Sequence, residues 1–270
     1  MSIASIMVSV DSGRAAAHRV RLAADLADRF EAALTGIAAR RIPGPGPADN
    51  IEAAQAAYDE ERAKLAAELD QAKEIFDHNV APAARTGWRQ AEAGAEAFLV
   101  QQARGADLVV VGRNPAEGGA REMAADPGTV LMEVGRPVLV APPGLERLKA
   151  ARIVVAWKDA PESRRAVTAA LPFVARADQV FVVSAGADAR FEGAEEVSEL
   201  LARHGAHVTT HFLDAAAGAI AEEILRFANR QDADLVVMGG YGRSRLHEWL
   251  FGGVTRDILQ VSPFCCLMSH

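Results

Sequence analysis

The residue types and spacings best suited to chemistry lie in residues 237–255. The segment runs Met238-Gly239-Gly240-Tyr241-Gly242-Arg243-Ser244 and closes on Gly252-Gly253-Val254-Thr255. Glycines let a backbone approach a phosphate closely, and their amides can turn inward as donors. The pattern predicts a helix over residues 254–261, whose N-terminus adds free N–H groups and a partial positive charge. Arg243, Ser244 and Thr255 add side-chain donors. No Gly-Lys-Ser/Thr follows the glycines, so this is not a Walker A loop. They follow the fourth strand of a repeat rather than the first, which excludes the dinucleotide fingerprint. Taken alone, the glycines read better as a tight turn and a helix cap.

The elements that position this segment occur twice. Apolar runs at residues 3–10 and 153–157 end at Asp11 and Trp157. Helical stretches follow at 14–30 and 163–175, then apolar runs at 32–39 and 179–184. Residues 105–112 parallel 231–239, and residues 136–141 parallel 262–268. The stretch from Pro142 to Ala151 reads as a linker, which divides the chain into domains 1–148 and 149–270. Each half alternates short apolar runs with helical periods, the signature of parallel strands with helices on both faces. The fold class is therefore α/β: two tandem, doubly wound, five-stranded parallel-sheet domains of Rossmann-like type. The halves are expected to hold separate sheets, with residues 137–141 and 263–268 near a pseudo-twofold axis. A proline-glycine insertion at 43–47 precedes a long helix at 49–79, about 45 Å at 1.5 Å per residue. That helix reads as a solvated face with one apolar stripe. Its counterpart at 193–204 is shorter.

Gly239-x-x-Gly242, nine residues, then Gly252 and a small residue resembles the nucleotide loop of universal stress proteins. The Gly-Gly-Val-Thr ending and Pro263 before the last strand fit the same family, and the likeness spans both halves. The resemblance implies binding of ATP or a related adenine nucleotide, with Mg²⁺ as a candidate companion. It places phosphates along Gly239, Gly242, Arg243, Ser244, Gly252, Gly253, Val254 and Thr255, with Trp157 and Met238 at the adjoining strand ends. It also implies pairing of domains through their last strands.

The sequence departs from that family in both halves. Members that bind ATP usually carry an aspartate at the end of the first strand. Asp11 holds that place in the first half, and Trp157 holds it in the second. Trp157 either plugs the strand end or stacks on an adenine ring. Gly253 stands where the family has Ser or Thr. The first half reads Gly112-Arg113-Asn114-Pro115, without the second glycine, and Pro115 has no N–H to donate. Gly128-Thr129 is the displaced candidate for its closing pair. The first half thus reads as a degenerate, structural copy.

The chain has 270 residues, half of them hydrophobic, and a formal charge of −7. That balance argues against a broad nucleic-acid surface. No basic leader or membrane-length run occurs. The adjacent Cys265 and Cys266 suit a reduced compartment, so the expected location is the cytoplasm. No catalytic motif is present, and no catalytic residue or metal site is assigned. His247 and Glu248 read as a surface pair, and His204, His207 and His211 as ordinary residues around a strand. Three functions stay open: a non-catalytic nucleotide-responsive stress protein, a slow nucleotide hydrolase with His247 or Asp159 near the γ-phosphate, and a ligand-free structural module. A homodimer is expected, since twofold closure is the commonest assembly.

Overall fold

The computed structural model describes residues 2–44, 50–81, 85–113, 121–242 and 253–270. The first half contains β1 (Ser5–Ser9), α1 (Arg14–Phe30), β2 (Ala33–Arg40), α2 (Ile51–His78), β3 (Thr86–Glu92), α3 (Ala95–Gln102), β4 (Leu108–Gly112), α4 (Pro127–Glu133) and β5 (Val138–Ala141). The second contains β6 (Arg152–Ala156), α5 (Pro161–Val174), β7 (Gln179–Ala185), α6 (Ala194–Arg203), β8 (Val208–Leu213), α7 (Ile220–Arg230), β9 (Leu235–Gly239), α8 (Val254–Val261) and β10 (Cys265–Ser269).

The ten strands form one sheet in the order β3-β2-β1-β4-β5-β10-β9-β6-β7-β8. Each half supplies five parallel strands, as expected. The expectation of two separate sheets is corrected, because β5 pairs antiparallel with β10. Val138, Leu139 and Val140 lie opposite Met268, Leu267 and Cys266. The physical reason is the edge that each half would otherwise expose. Both last strands are apolar, and a bare apolar edge carries a row of unpaired N–H and C=O groups. Pairing them removes both edges at once.

Side chains alternate across the sheet with the period of two that strands require. Leu108 and Val110 face one core layer, under α1, α2, α5 and α6. Val109 and Val111 face the other, under α3, α4, α7 and α8. The cysteines divide the same way, Cys265 to the first layer and Cys266 to the second. Both are free thiols. The long helix α2 buries Leu65, Leu69, Ala72 and Phe76 as a single stripe, and its N-cap Asn50 accepts from the Ala53 N–H at 2.8 Å. At the end of β2, the fully buried Arg40 is ion-paired with Glu61 and Glu68 of α2 and with Glu122, at 2.7, 3.2 and 2.6 Å. No helix among the described residues is long and apolar enough to cross a membrane.

The seam should dominate stability. Leu267 is completely buried there, so Leu267→Ala is expected to cost about 2–5 kcal/mol in denaturant unfolding. Ile51→Ala, at an exposed position, should stay within about 0.5 kcal/mol. Burial also pushes the Cys266 thiol up to about 11, and raises Cys265 as well. Neither protonated, buried thiol should react with Ellman's reagent at pH 8 until the protein is unfolded. Rapid labelling of the native protein would contradict the buried placement.

Candidate functional site

The glycine turn leaves the carboxyl end of β9 and is fastened on three sides. On the first side is α5. A Cβ added to Gly239 would lie 2.7 Å from the Ser163 backbone nitrogen and 2.7 Å from Glu162 Cγ. Glycine is therefore required there by the close approach of the α5 N-terminus. On the second side is α4 of the first half, since a Cβ on Gly240 would lie 2.4 Å from Leu131 Cδ2. Tyr241 follows in the left-handed region, at φ 49°. Its hydroxyl reaches Gly128, where a Cβ would meet it at 2.7 Å. On the third side is α8, where the buried Thr255 accepts the Tyr241 N–H on Oγ1 at 3.2 Å. The Gly240 N–H is also spent, on the Ser269 carbonyl at 2.9 Å. Gly242 is looser. Among the described residues, a Cβ there would meet only the carboxylate end of Glu162, at 2.6 Å.

The helix after the turn starts on Gly253, which has no side-chain cap. The first N–H groups of an α-helix have no partner within it, and here no side chain of the N-cap residue takes one. Val254 and Thr255 therefore stand at a helix terminus that can receive an anion. The matching helix in the first half differs. Asp126 caps α4, accepting from the Thr129 N–H at 2.7 Å and the Thr129 hydroxyl at 2.9 Å. A carboxylate of the chain itself fills that terminus. Asp11 is committed as well: it accepts from the Gly13 N–H at 2.8 Å and pairs with the buried Arg19 at 2.6 Å.

Trp157 lies at the end of β6 with only 7% of its surface exposed. It packs into the core layer under α5 and α6, and its indole N–H donates to the Glu192 carbonyl at 2.6 Å. Met238 is buried in the opposite layer. Asp159 forms an ion pair with Arg164, and its N–H donates to Glu192 Oε2 at 2.8 Å. A groove of about 490 Å³ opens beside these residues, between α5 and α6. Gly240 and Tyr241 thus lie against Thr255 of α8, while the side chains of Trp157 and Met238 lie in the core. Arg243, Ser244 and Gly252 lie outside the described residues, as do His247 and Glu248. His211 packs on Phe227 at 4.8 Å between ring centres, and burial lowers its pKa. No cluster of three metal-ligating side chains occurs among the described residues.

Sequence reasoning missed Glu162 and Leu131 as neighbours of the turn. Glu162 reads only as an acidic residue in the first turn of α5, and nothing in the spacing brings α4 against Gly240. The geometry separates the two glycines that begin the motif. Gly239→Ala forces a methyl group against backbone and is expected to cost about 1–3 kcal/mol. Gly242→Ala displaces only a flexible carboxylate and should cost less than about 1 kcal/mol. Thermal unfolding of the two variants gives the comparison.

Residues 150–270 match the family model described as the universal stress protein family. Among solved structures, a universal stress protein from Archaeoglobus fulgidus is similar over 97% of this chain and 94% of its own, at 14% identity and a TM-score of 0.66. A functionally unknown protein from Pseudomonas aeruginosa covers 98% of this chain and 92% of its own, at 18% identity and a TM-score of 0.58. A putative universal stress protein from the same species gives the same coverage and TM-score at 19% identity. At these identities the likeness establishes the fold across both halves. No curated protein sequence gave a significant match.

Proposed function

We propose that the second half of the chain, whose residues 150–270 match the universal stress protein family model, is a domain of that family and binds ATP or a close adenine nucleotide. The observation that carries the reading is the uncapped N-terminus of α8 beside a turn whose glycines are packed against α5. Phosphates would lie against the amides of Gly242, Gly252, Gly253 and Val254. Arg243 and Ser244 would add side-chain donors. The Thr255 hydroxyl accepts from Tyr241 and keeps its own proton to donate. Charge-assisted bonds of this kind contribute roughly 1.5–3 kcal/mol each.

Trp157 is proposed as a plug of the strand end, because its indole N–H is spent on Glu192 and its ring is buried. Met238 would contribute through its backbone at the strand end. The first half, residues 1–148, is proposed as a structural domain, since Asp126 and Arg19 already occupy its ligand-facing groups. The role proposed is a non-catalytic stress-response protein whose nucleotide occupancy alters partner contacts. The two free thiols favour the cytoplasm, and a homodimer is the proposed assembly.

Titration calorimetry with ATP tests the placement. Gly242→Val sets a branched side chain on the face that phosphate must approach, and binding should be lost with the fold retained. Asp11→Asn should leave binding unchanged. It should nevertheless lower stability by roughly 3 kcal/mol, because Arg19 would be left as a buried charge without its partner. Loss of binding in the Asp11 variant, with binding kept in the Gly242 variant, would place the site in the first half.

A further inference from the structure

The sheet ends on β3 at one side and on β8 at the other. A terminal strand presents a row of unpaired N–H and C=O groups, and charged side chains usually guard it. β3 has that protection, with Arg89 and Glu92 exposed on it, and Gly87 weakens it further as a pairing strand. β8 runs Val208-Thr209-Thr210-His211-Phe212-Leu213, with no acidic residue, lysine, arginine, glycine or proline. Burial lowers the pKa of His211, so the strand carries no charge at neutral pH. Valine, threonine and phenylalanine are residue types that suit strand pairing. The ladder to β7 shows which backbone groups face outward. His207 and Leu213 turn their carbonyls to β7, accepting from the Val180 N–H at 2.8 Å and the Gly186 N–H at 3.0 Å. Successive residues of a strand turn their backbone groups to opposite edges. The N–H and C=O of Val208, Thr210 and Phe212 therefore point away from β7. Among the described residues, no other strand, loop or helix bonds to them.

We infer that β8 is the homodimer surface, pairing antiparallel with β8 of a second copy about a twofold axis at Thr210. The inference rests on the homodimer reading and names its surface. A twofold contact must be self-complementary, and the outward row of β8 is so about its centre. In an antiparallel pair, facing residues alternate between those that exchange both hydrogen bonds and those that exchange none. With the axis at Thr210, that residue faces its own copy and Val208 faces Phe212, each as a bonded pair. Thr209 then faces His211 as the non-bonded pair, with Cα atoms about 4.5 Å apart. Threonine with threonine and an aromatic with a β-branched residue are favourable cross-strand pairs. The same construction fails on β3. There Arg85 turns its carbonyl to β2, so Thr86, Trp88, Gln90 and Glu92 face outward, and the central register sets Arg89 directly against its own copy. Like charges facing one another across strands repel. The chain already contains a joint of the kind inferred, since β5 and β10 close each other antiparallel at the seam.

Light scattering of the full chain at micromolar concentration should give a dimer. Thr210→Pro removes the central outward N–H, at the kind of position where an edge strand tolerates proline. It should give a monomer with an unchanged circular dichroism spectrum. Gln90→Pro makes the same change on β3 and should stay dimeric. A second measurement is independent of how the proline variant folds. Thr209→Cys and His211→Cys proteins are mixed, allowed to exchange subunits and oxidised. A disulfide needs Cα atoms roughly 4.4–6.8 Å apart, which the register supplies between position 209 of one copy and position 211 of the other. Each position lies about 7–8 Å from its own copy, too far to be bridged. The mixture should therefore cross-link, and either variant alone should not. A native dimer whose Thr210→Pro variant dimerises equally well, or whose cysteine mixture fails to cross-link, overturns the β8 surface and leaves the homodimer reading standing. A native protein that stays monomeric overturns the homodimer reading, and this inference with it.

Discussion

The antiparallel pairing of β5 with β10 is the constraint on which the arrangement of the molecule depends. Within each half the strands are parallel, so their carboxyl ends share one edge. At the seam the direction reverses. The carboxyl edge of one half therefore lies beside the amino edge of the other. That is how a turn leaving β9 comes to rest on α4, an element of the first half, with Gly240 against Leu131 and Tyr241 against Gly128. The seam also makes the core layers continuous. Leu139 and Leu267 meet in one layer, and Val138, Val140, Cys266 and Met268 meet in the other.

The same architecture occurs in both halves, yet the N-termini of α4 and α8 are in opposite states. In the first, Asp126 caps α4, and Arg19 holds Asp11 in a buried ion pair. Arg40 draws three glutamates around the end of β2. Among the described residues, Asp11 and Asp126 are thus already engaged by groups of the chain itself. In the second, α8 begins on a glycine without a side-chain cap, and Glu162 lies against Gly239 and Gly242. The asymmetry between the halves lies in this difference rather than in their topology.

Local structure was legible in the sequence wherever apolar periodicity and punctuation agreed. The helices read at residues 14–30 and 254–261 are observed at Arg14–Phe30 and Val254–Val261. The single apolar stripe of the long helix is the one that faces β2 and β3. Contacts between remote segments were not legible. Trp157 had two equal readings from sequence because its hydrogen-bond partner, Glu192, lies 35 residues away. Gly128 reads as the displaced closing glycine of the first half's loop, and its contact with Tyr241, 113 residues away, was hidden in the sequence. The continuity of the sheet was hidden for a related reason. The period of a strand reveals which side chains face the core, but it is silent on which edges meet.

The seam also has a consequence for how the chain is made. β10 is the last of the ten strands to be synthesised, and it lies between β5 and β9 in the finished sheet. At cellular translation rates, the interval between the emergence of β5 and that of β10 is on the order of ten seconds. Throughout that time the apolar edge Val138–Ala141 has no strand to pair with. Long-range pairing of this kind is slow to form and leaves strand edges open to association. Nascent chains crowded on one messenger would thus be open to entanglement until the residues of β10 emerge to close that edge.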